Sequence, residues 1–350
     1  LGSTSEPSEA VMTMIGIDPH KATHPAVAID DREGVLAEFE LAASPGQTDR
    51  LVEWAEVFDD RVWAIEAANG LGRLVARQLI AAGETVFDVP PVLASRVRLL
   101  GSGRSQKNDP NDARSVAVAA LRSDRLAQVV PDNDVTVMRV LVKRHRDLAQ
   151  SKAKAANRLH ALLAELTPGG ISVKINAAKA SELLDNVDIG KRPDQLRVLV
   201  AREIIEDITR LDGALKTSKK RIAAAVDAAD TTLTDVPGIG AIGAATIIGY
   251  TGDVTRFPTK GHYATYNGTA PIEASSGSRT RHRLNPRGNR IINHAIHIAA
   301  VTQLRHDTKG RTYYDRKIAE GKTSKEAIRA LKRRISDVVY RRLRHDAATN

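Results

Sequence analysis

Four carboxylates in the first third of the chain stand where a phosphoryl-transfer site needs them. Asp18 follows directly on the apolar run Met14-Ile15-Gly16-Ile17, and Glu66 closes Trp63-Ala64-Ile65. Asp109 and Asp112 are three apart in Lys107-Asn108-Asp109-Pro110-Asn111-Asp112-Ala113, a spacing that puts both on one face at the start of a helix. Four hard oxygen donors in one cleft suit two Mg²⁺ ions about 4 Å apart, which hold a scissile phosphate and polarise the attacking and leaving oxygens. Taken singly, each has a plainer reading. An Asp after a strand is an ordinary turn residue, and Asp-Pro-Asn-Asp an ordinary helix cap. The metal reading rests on the four together, on one order of elements.

That order can be read from the apolar patterning. Short runs at 14–17, 26–29 and 35–41, separated by turn residues that include Asp30, Asp31 and Gly34, suit three consecutive antiparallel strands. A helix over 47–58, a strand over 62–65, a helix over 71–82 closed by Gly83 and a strand over 85–89 ending at Pro90-Pro91 follow. With a further helix after Asn111, the succession βββαβαβ resembles the RNase H-like (RuvC-like) α/β fold, in which the fourth strand lies beside the first. Asp18 and Glu66 then converge.

The middle third is nearly free of Gly and Pro over 134–166 and carries apolar residues at helical spacing; a second amphipathic helix spans 193–229. They read as an antiparallel pair or coiled coil, either a spacer or a dimerising arm. The last third opens with Val236-Pro237-Gly238-Ile239-Gly240 ahead of a small-residue helix over 241–250, with further helices over 289–304 and 324–344. Such a turn, as in helix-hairpin-helix modules, lets Gly238 and Gly240 offer backbone amides to a phosphate at a helix start. A tight turn of purely structural value is the alternative.

The chain has 350 residues, 42% apolar and 27% charged, and no cysteine, which excludes a disulfide framework, cysteine-ligated zinc and a cysteine nucleophile. Its net charge of +10 is uneven: 19 basic and 5 acidic residues fall between 279 and 344, a surplus that calls for phosphate. Aromatics are only 3%, so backbone electrostatics rather than base stacking should carry nucleic-acid binding. No apolar run reaches the length of a membrane span, and a soluble, cytoplasmic, nucleoid-associated protein is expected. The expected organisation is a disordered 1–13, an α/β domain with the four carboxylates at 14–130, a helical coiled-coil region at 131–230 and a mainly helical, basic domain at 231–350.

Gly16-Ile17-Asp18 with His20-Lys21, Ile65-Glu66, and Lys107-Asn108-Asp109 with Asp112-Ala113 together resemble the amino-terminal DEDD domain of the insertion-sequence one-ten family of transposases, relatives of the Piv and MooV invertases. The motifs at 236–240, Gly268 to Pro271, Ser275-Ser276-Gly277 and Arg287-Gly288-Asn289-Arg290 stand in the order of that family's second domain. The resemblance implies a DNA recombinase guided by a structured bridge RNA that pairs with donor and target DNA, acting as a homo-oligomer from dimer to tetramer. It makes Asp18, Glu66, Asp109 and Asp112 the Mg²⁺ ligands and Ser276 the nucleophile that becomes joined to DNA, with Ser275 its rival. A serine without an adjacent base needs a metal to become nucleophilic, and Arg279, Arg281, Arg283, Arg287 and Arg290 can hold flanking phosphates. Many relatives have a lysine-containing turn before Gly288, whereas this chain has Asn285-Pro286-Arg287. Two other readings stand beside this one: a junction nuclease that uses the carboxylates and water without a covalent intermediate, and a non-catalytic nucleic-acid scaffold.

Overall fold

The run Thr13–Ile17 forms β1 and is buried at every position, as a strand covered on both faces must be. The computed structural model describes residues 12–102, 109–124, 126–167, 176–187, 190, 192–273, 282–283, 285 and 288–349. The chain divides into two units, Leu1–Asp132 and Asn133–Asn350.

In the first unit β1 pairs antiparallel with Thr23–Ile29 (β2), which pairs antiparallel with Val35–Ala42 (β3). The helix Gln47–Ala55 (α1) leads into Arg61–Glu66 (β4), parallel to β1. Arg73–Ala81 (α2) then leads into Val86–Val89 (β5), parallel to β4. Helices Pro91–Ser102 (α3) and Asp109–Leu121 (α4) precede the short edge strand Ala127–Gln128 (β6). The sheet order is β3-β2-β1-β4-β5-β6, with β1 and β4 side by side, and this mixed sheet has the RNase H-like arrangement that the sequence leads one to expect.

Period-2 alternation assigns the two faces. Ile15, Ile17, Trp63 and Ile65 pack with Leu51 of α1 and Val75 and Leu79 of α2, while Met14, Ala64 and Val89 pack with Ala94 of α3 and Ala113, Val116 and Ala117 of α4. α4 lies so near β1 that a Cβ on Gly16 would come within 2.2 Å of the Ala113 carbonyl oxygen. Only a hydrogen at this position lets the helix approach the strand. β4 is anchored at its far end: the Arg61 guanidinium donates to both carboxylate oxygens of Glu84, at 2.6 and 3.1 Å, and the Trp63 indole N–H donates to the same carboxylate at 2.6 Å.

The second unit is built from helices. Asp134–Leu166 (α5), capped by Asn133, is followed by Ala177–Asp185 (α6) and Arg192–Ala228 (α7). α5 and α7 run antiparallel: Met138 and Val142 share a core with Ile222 and Val226, whereas Leu159 and Leu163 pack with Val198, Ala201 and Ile205. The near ends of this pair join the core made by Ala241–Thr251 (α8), Lys260–Tyr266 (α9), Arg290–Leu304 (α10), Lys309–Ala319 (α11) and Ser324–Thr349 (α12). Between α9 and α10, Ile272–Glu273 (β7) and His282–Arg283 (β8) form a two-stranded antiparallel ladder. Among the described residues no helix is long and apolar enough to cross a membrane.

Several elements lay outside the sequence reading: α3, β6, α6, α9, the β7–β8 ladder and α11. α3 carried a readable signal, since Pro91 opens it and proline suits the first helical turn. β6 carried none, being two exposed residues held only by pairing with β5.

Candidate active site

β1 ends at Ile17, opposite Ile65 of β4, so Asp18, just past β1, and Glu66, the last residue of β4, stand side by side at the carboxyl ends of the two central strands. The chain turns at both points. Asp18 N–H donates to Pro25 O at 3.3 Å as the backbone enters the connection to β2. Directly after Glu66, Ala67 adopts a left-handed φ of 50° while its N–H donates to Val89 O at 3.0 Å. A non-glycine residue held there stores roughly 1 kcal/mol of strain that its neighbours must offset.

The Asp18 and Glu66 carboxyl groups lie close enough to shift each other's titration. Burial pushes the Asp18 carboxyl above its usual range, with Asp112 adding to the effect. Burial first, and the Asp18 charge second, push Glu66 up to about 7. His20 stands on the opposite side of Asp18, its Nε2 3.7 Å from Oδ2.

α4 brings in the third carboxylate. Asp112 is 2% exposed and immediately precedes Ala113, whose carbonyl oxygen lies against Gly16, so the packing of α4 on β1 sets its position. Its Oδ1 is paired with the Arg98 guanidinium from α3, and its Oδ2 has no hydrogen-bond partner among the described residues. Arg98 also lowers the pKa values of Asp18 and Glu66, which places it within the field of all three carboxylates. Asp109 is the first residue of α4; its side chain lies outside the described residues.

Three crowded carboxyl groups, one of them with an orphaned buried oxygen, fit a divalent cation chemically: a hard cation would relieve their mutual repulsion and supply the missing partner. Among the described residues no three ligands stand at metal-binding spacing.

A cavity of about 230 Å³ lies beside it, lined by His20, Lys21, His24, Ala43, Gln47, Leu71, Leu74 and Val75. The Gln47 amide donates to Gln78 at 2.6 Å, so its oxygen accepts from His24 Nε2 at 3.1 Å. Burial holds the His24 pKa below its usual value.

In the second unit Gly238 and Gly240 behave differently. Gly238 has φ +84° and faces α10, where a Cβ would meet Ala299 O at 2.6 Å, so its glycine is demanded by the turn and by α10. Gly240 caps α8 and is open. Arg290 is the exposed first residue of α10. The serine motif with Ser275 and Ser276, together with Arg279, Arg281 and Arg287, lies outside the described residues, and Arg283 is described only as a β8 backbone position. The segment carrying the serines is the connection between β7 and β8. At its base is a cavity of about 490 Å³ lined by Thr265, Tyr266, Ile272, Asn285, Gly288 and Asn289. The sequence reading missed Arg98, although Leu93, Ala94, Val97 and Arg98 after Pro91 follow helical spacing.

Two family models match the chain: a DEDD transposase model of the IS110 type over residues 15–168, and one described as transposase, IS116/IS110/IS902 family, over residues 230–315. Together they cover well over half of the chain. A 44.8 kDa protein of insertion element IS116 from Streptomyces clavuligerus, described as uncharacterized, is 25% identical, with 94% of each chain covered. The corresponding 43.6 kDa protein of IS110 from Streptomyces coelicolor is 25% identical over 96% of this chain and 95% of its own. A transposase for insertion sequence element IS1111A from Coxiella burnetii is 26% identical over 62% of this chain and 60% of its own. Among solved structures, Thermus thermophilus RuvC aligns with 34% of this chain and 100% of its own, at 17% identity and a TM-score of 0.27.

Proposed function

This chain belongs to the IS110/IS116 family of insertion-sequence transposases, and from that premise we propose that it cuts and rejoins DNA through a serine–DNA intermediate, guided by a structured RNA that pairs with donor and target. The convergence of Asp18, Glu66 and Asp112 at the carboxyl ends of the two central strands is the observation that carries this reading. An architectural role would not need three carboxyl groups crowded together with one buried oxygen left without a partner.

Asp18, Glu66, Asp112 and Asp109 would hold Mg²⁺, which when bound supplies Lewis-acid polarisation of the phosphate and eases deprotonation of the attacking hydroxyl. Ser276 Oγ attacks phosphorus, the Oγ–P bond forms as the bridging P–O bond breaks, and the departing strand oxygen takes up the proton that the hydroxyl gives up. A second strand's hydroxyl then reverses the step and frees the serine. Arg279, Arg281, Arg283, Arg287 and Arg290 hold flanking phosphates, and Gly240 leaves the first amides of α8 open to another. Target choice resides in base pairing, so the side chains need read little sequence. The protein works as a homo-oligomer.

The test is a denaturing gel with labelled donor and target DNA, Mg²⁺ and RNA transcribed from the element's flank. A protein–DNA adduct that requires Ser276, Asp18 and the RNA is the expected result. Free ends without adduct, unchanged in Ser276→Ala, would make the protein a carboxylate nuclease acting through water. Activity unchanged in Asp18→Asn would remove catalysis from this site altogether.

A further inference from the structure

α10 and α12 bring together a group of basic and polar side chains, of which the chemistry above employs only Arg290. Arg290, Asn293, His294 and His297 recur at helical spacing and share one face of α10. α12 sets Lys332 against that face, its Nζ donating to Asn293 Oδ1 at 2.6 Å. Asn293 is itself fixed: it is 5% exposed, and its amide donates to Asn267 O at 2.9 Å. Its carbonyl oxygen therefore points at Lys332 by necessity.

The charges around Lys332 are all of one sign. Among the described residues no carboxylate lies within ion-pairing distance of Lys332, Arg290, His294 or His297. Arg290 repels Lys332, and Lys332 and His294 in turn repel His297. Burial, with Arg290 adding to it, brings the Lys332 ammonium down to about 8, and burial lowers His297 as well. Holding cations together in partial burial costs stability unless an anion joins them.

The position of the group says which anion. Asn267, which accepts from Asn293, is followed by Gly268, and Gly268 lies against Gly288, where an added Cβ would come within 2.4 Å of the Gly268 backbone. Asn285 is tied to the same place, its amide donating to Thr265 O at 3.1 Å. These residues flank the β7–β8 ladder in the chain, so the group sits where the chain enters and leaves that ladder.

We propose that Lys332, Arg290 and His297 form a seat for one backbone phosphate of the DNA strand delivered to the β7–β8 connection. The seat deepens the reading of that connection as the place where DNA is joined. Lys332 supplies a point charge, Arg290 a fork for two phosphate oxygens and His297 a ring N–H donor. Phosphate replaces mutual repulsion with three attractions.

The experiment measures binding of a labelled duplex by the full chain without divalent metal, over a range of salt concentrations, for wild type, Lys332→Met, Lys332→Arg, His297→Gln and Arg290→Gln. Each phosphate contact contributes about 0.9 to the slope of log affinity against log salt. Lys332→Met is expected to weaken binding roughly tenfold at physiological salt and to lower the slope by about 1, with Lys332→Arg close to wild type. A thermal melt accompanies the titration, because Lys332→Met removes a partly buried cation but also deprives the buried Asn293 Oδ1 of its donor. Should Lys332→Met fail to fold, His297→Gln gives the slope test of the seat, with Arg290→Gln as the comparison for a phosphate contact already assigned above. An unchanged affinity and slope in a folded variant would overturn the proposal, and a loss for single-stranded RNA but not for DNA would overturn the assignment to DNA. Ser276→Ala separates the two readings: an adduct that persists in it refutes joining at Ser276, while the salt slope, measured without chemistry, still reports on the seat.

Discussion

Replacing Gly16 by alanine adds one methyl group between the two elements that carry the carboxylates. Its Cβ would stand 2.2 Å from Ala113 O, 2.5 Å from Ala117 N and 2.8 Å from Ala117 Cβ. Two of these are backbone atoms of a packed helix, so no side-chain rotation relieves the contact. Ordinary van der Waals separation requires α4 to move off β1 by about 1 Å, and overpacking of this kind costs about 1–3 kcal/mol. The first unit should therefore melt about 3–10 °C lower while remaining folded at room temperature. Asp112 precedes Ala113 and moves with it, whereas Asp18, two residues beyond Gly16 on the strand, does not. A displacement of about 1 Å between groups that must act together costs on the order of a hundredfold in rate. Strand cleavage under single-turnover conditions, read beside a circular-dichroism melt, measures both effects. Gly46→Ala is the control, because nothing lies within 4 Å of the added methyl. A Gly16→Ala protein that melts and cuts like wild type would show that α4 is not pressed on β1 and that the strand does not set the position of Asp112.

Further outcomes follow from the same geometry. Mg²⁺ should raise the melting temperature of the wild-type chain, by up to about 2.7 kcal/mol of stability at a hundredfold excess over its dissociation constant, and Asp18→Asn should abolish that rise. Without metal, Asp18→Asn should melt no lower than wild type, since it relieves crowding with Glu66 and Asp112; a marked loss would give Asp18 a structural role instead. Burial raises the Glu84 pKa, but hydrogen bonds from Arg61 and Trp63 hold it below its usual value overall, so its contribution is present above the unfolded pKa and is lost as pH falls through the folded one. Glu84→Gln should cost about 1–3 kcal/mol near neutral pH and flatten the acid limb of a urea-midpoint profile; parallel profiles would contradict the pairing. Gly238→Ala must accept φ +84° and a contact 2.6 Å from Ala299 O, a cost of about 2–4 kcal/mol that urea denaturation of the second unit would register.

The strand ends that carry Asp18 and Glu66 were legible because one element decides each position. An apolar run fixes a strand, its last buried residue fixes its end, and the parallel register of Ile17 with Ile65 follows once β4 is the neighbour of β1. The long helices were legible for the same reason, since periodicity over 33 and 37 residues outweighs any local ambiguity. α9 and α11 were not: α9 has only seven residues, and α11, though as long as α8, has a polar composition with a single buried residue. α6 is no longer than α1, and without an expected neighbour its pattern does not distinguish a helix from a loop.

The residues that escaped the sequence reading depend on two elements crossing. Arg98 matters because α3 lays it on Asp112 of α4, and Lys332 because α12 lays it on Asn293 of α10. Neither pairing leaves a trace in spacing, since the partners are 14 and 39 residues apart and on separate helices. Gly238 shows the two scales together. Its turn sequence was recognised, and a local motif suggests a phosphate there, but the surface that demands a glycine is α10, dozens of residues downstream. Charge composition points to nucleic acid for the whole 279–344 segment, yet it cannot separate a solvated arginine from a lysine held half-buried among like charges. That distinction arises only when helix packing removes water from one side of the cation and leaves no carboxylate on the other.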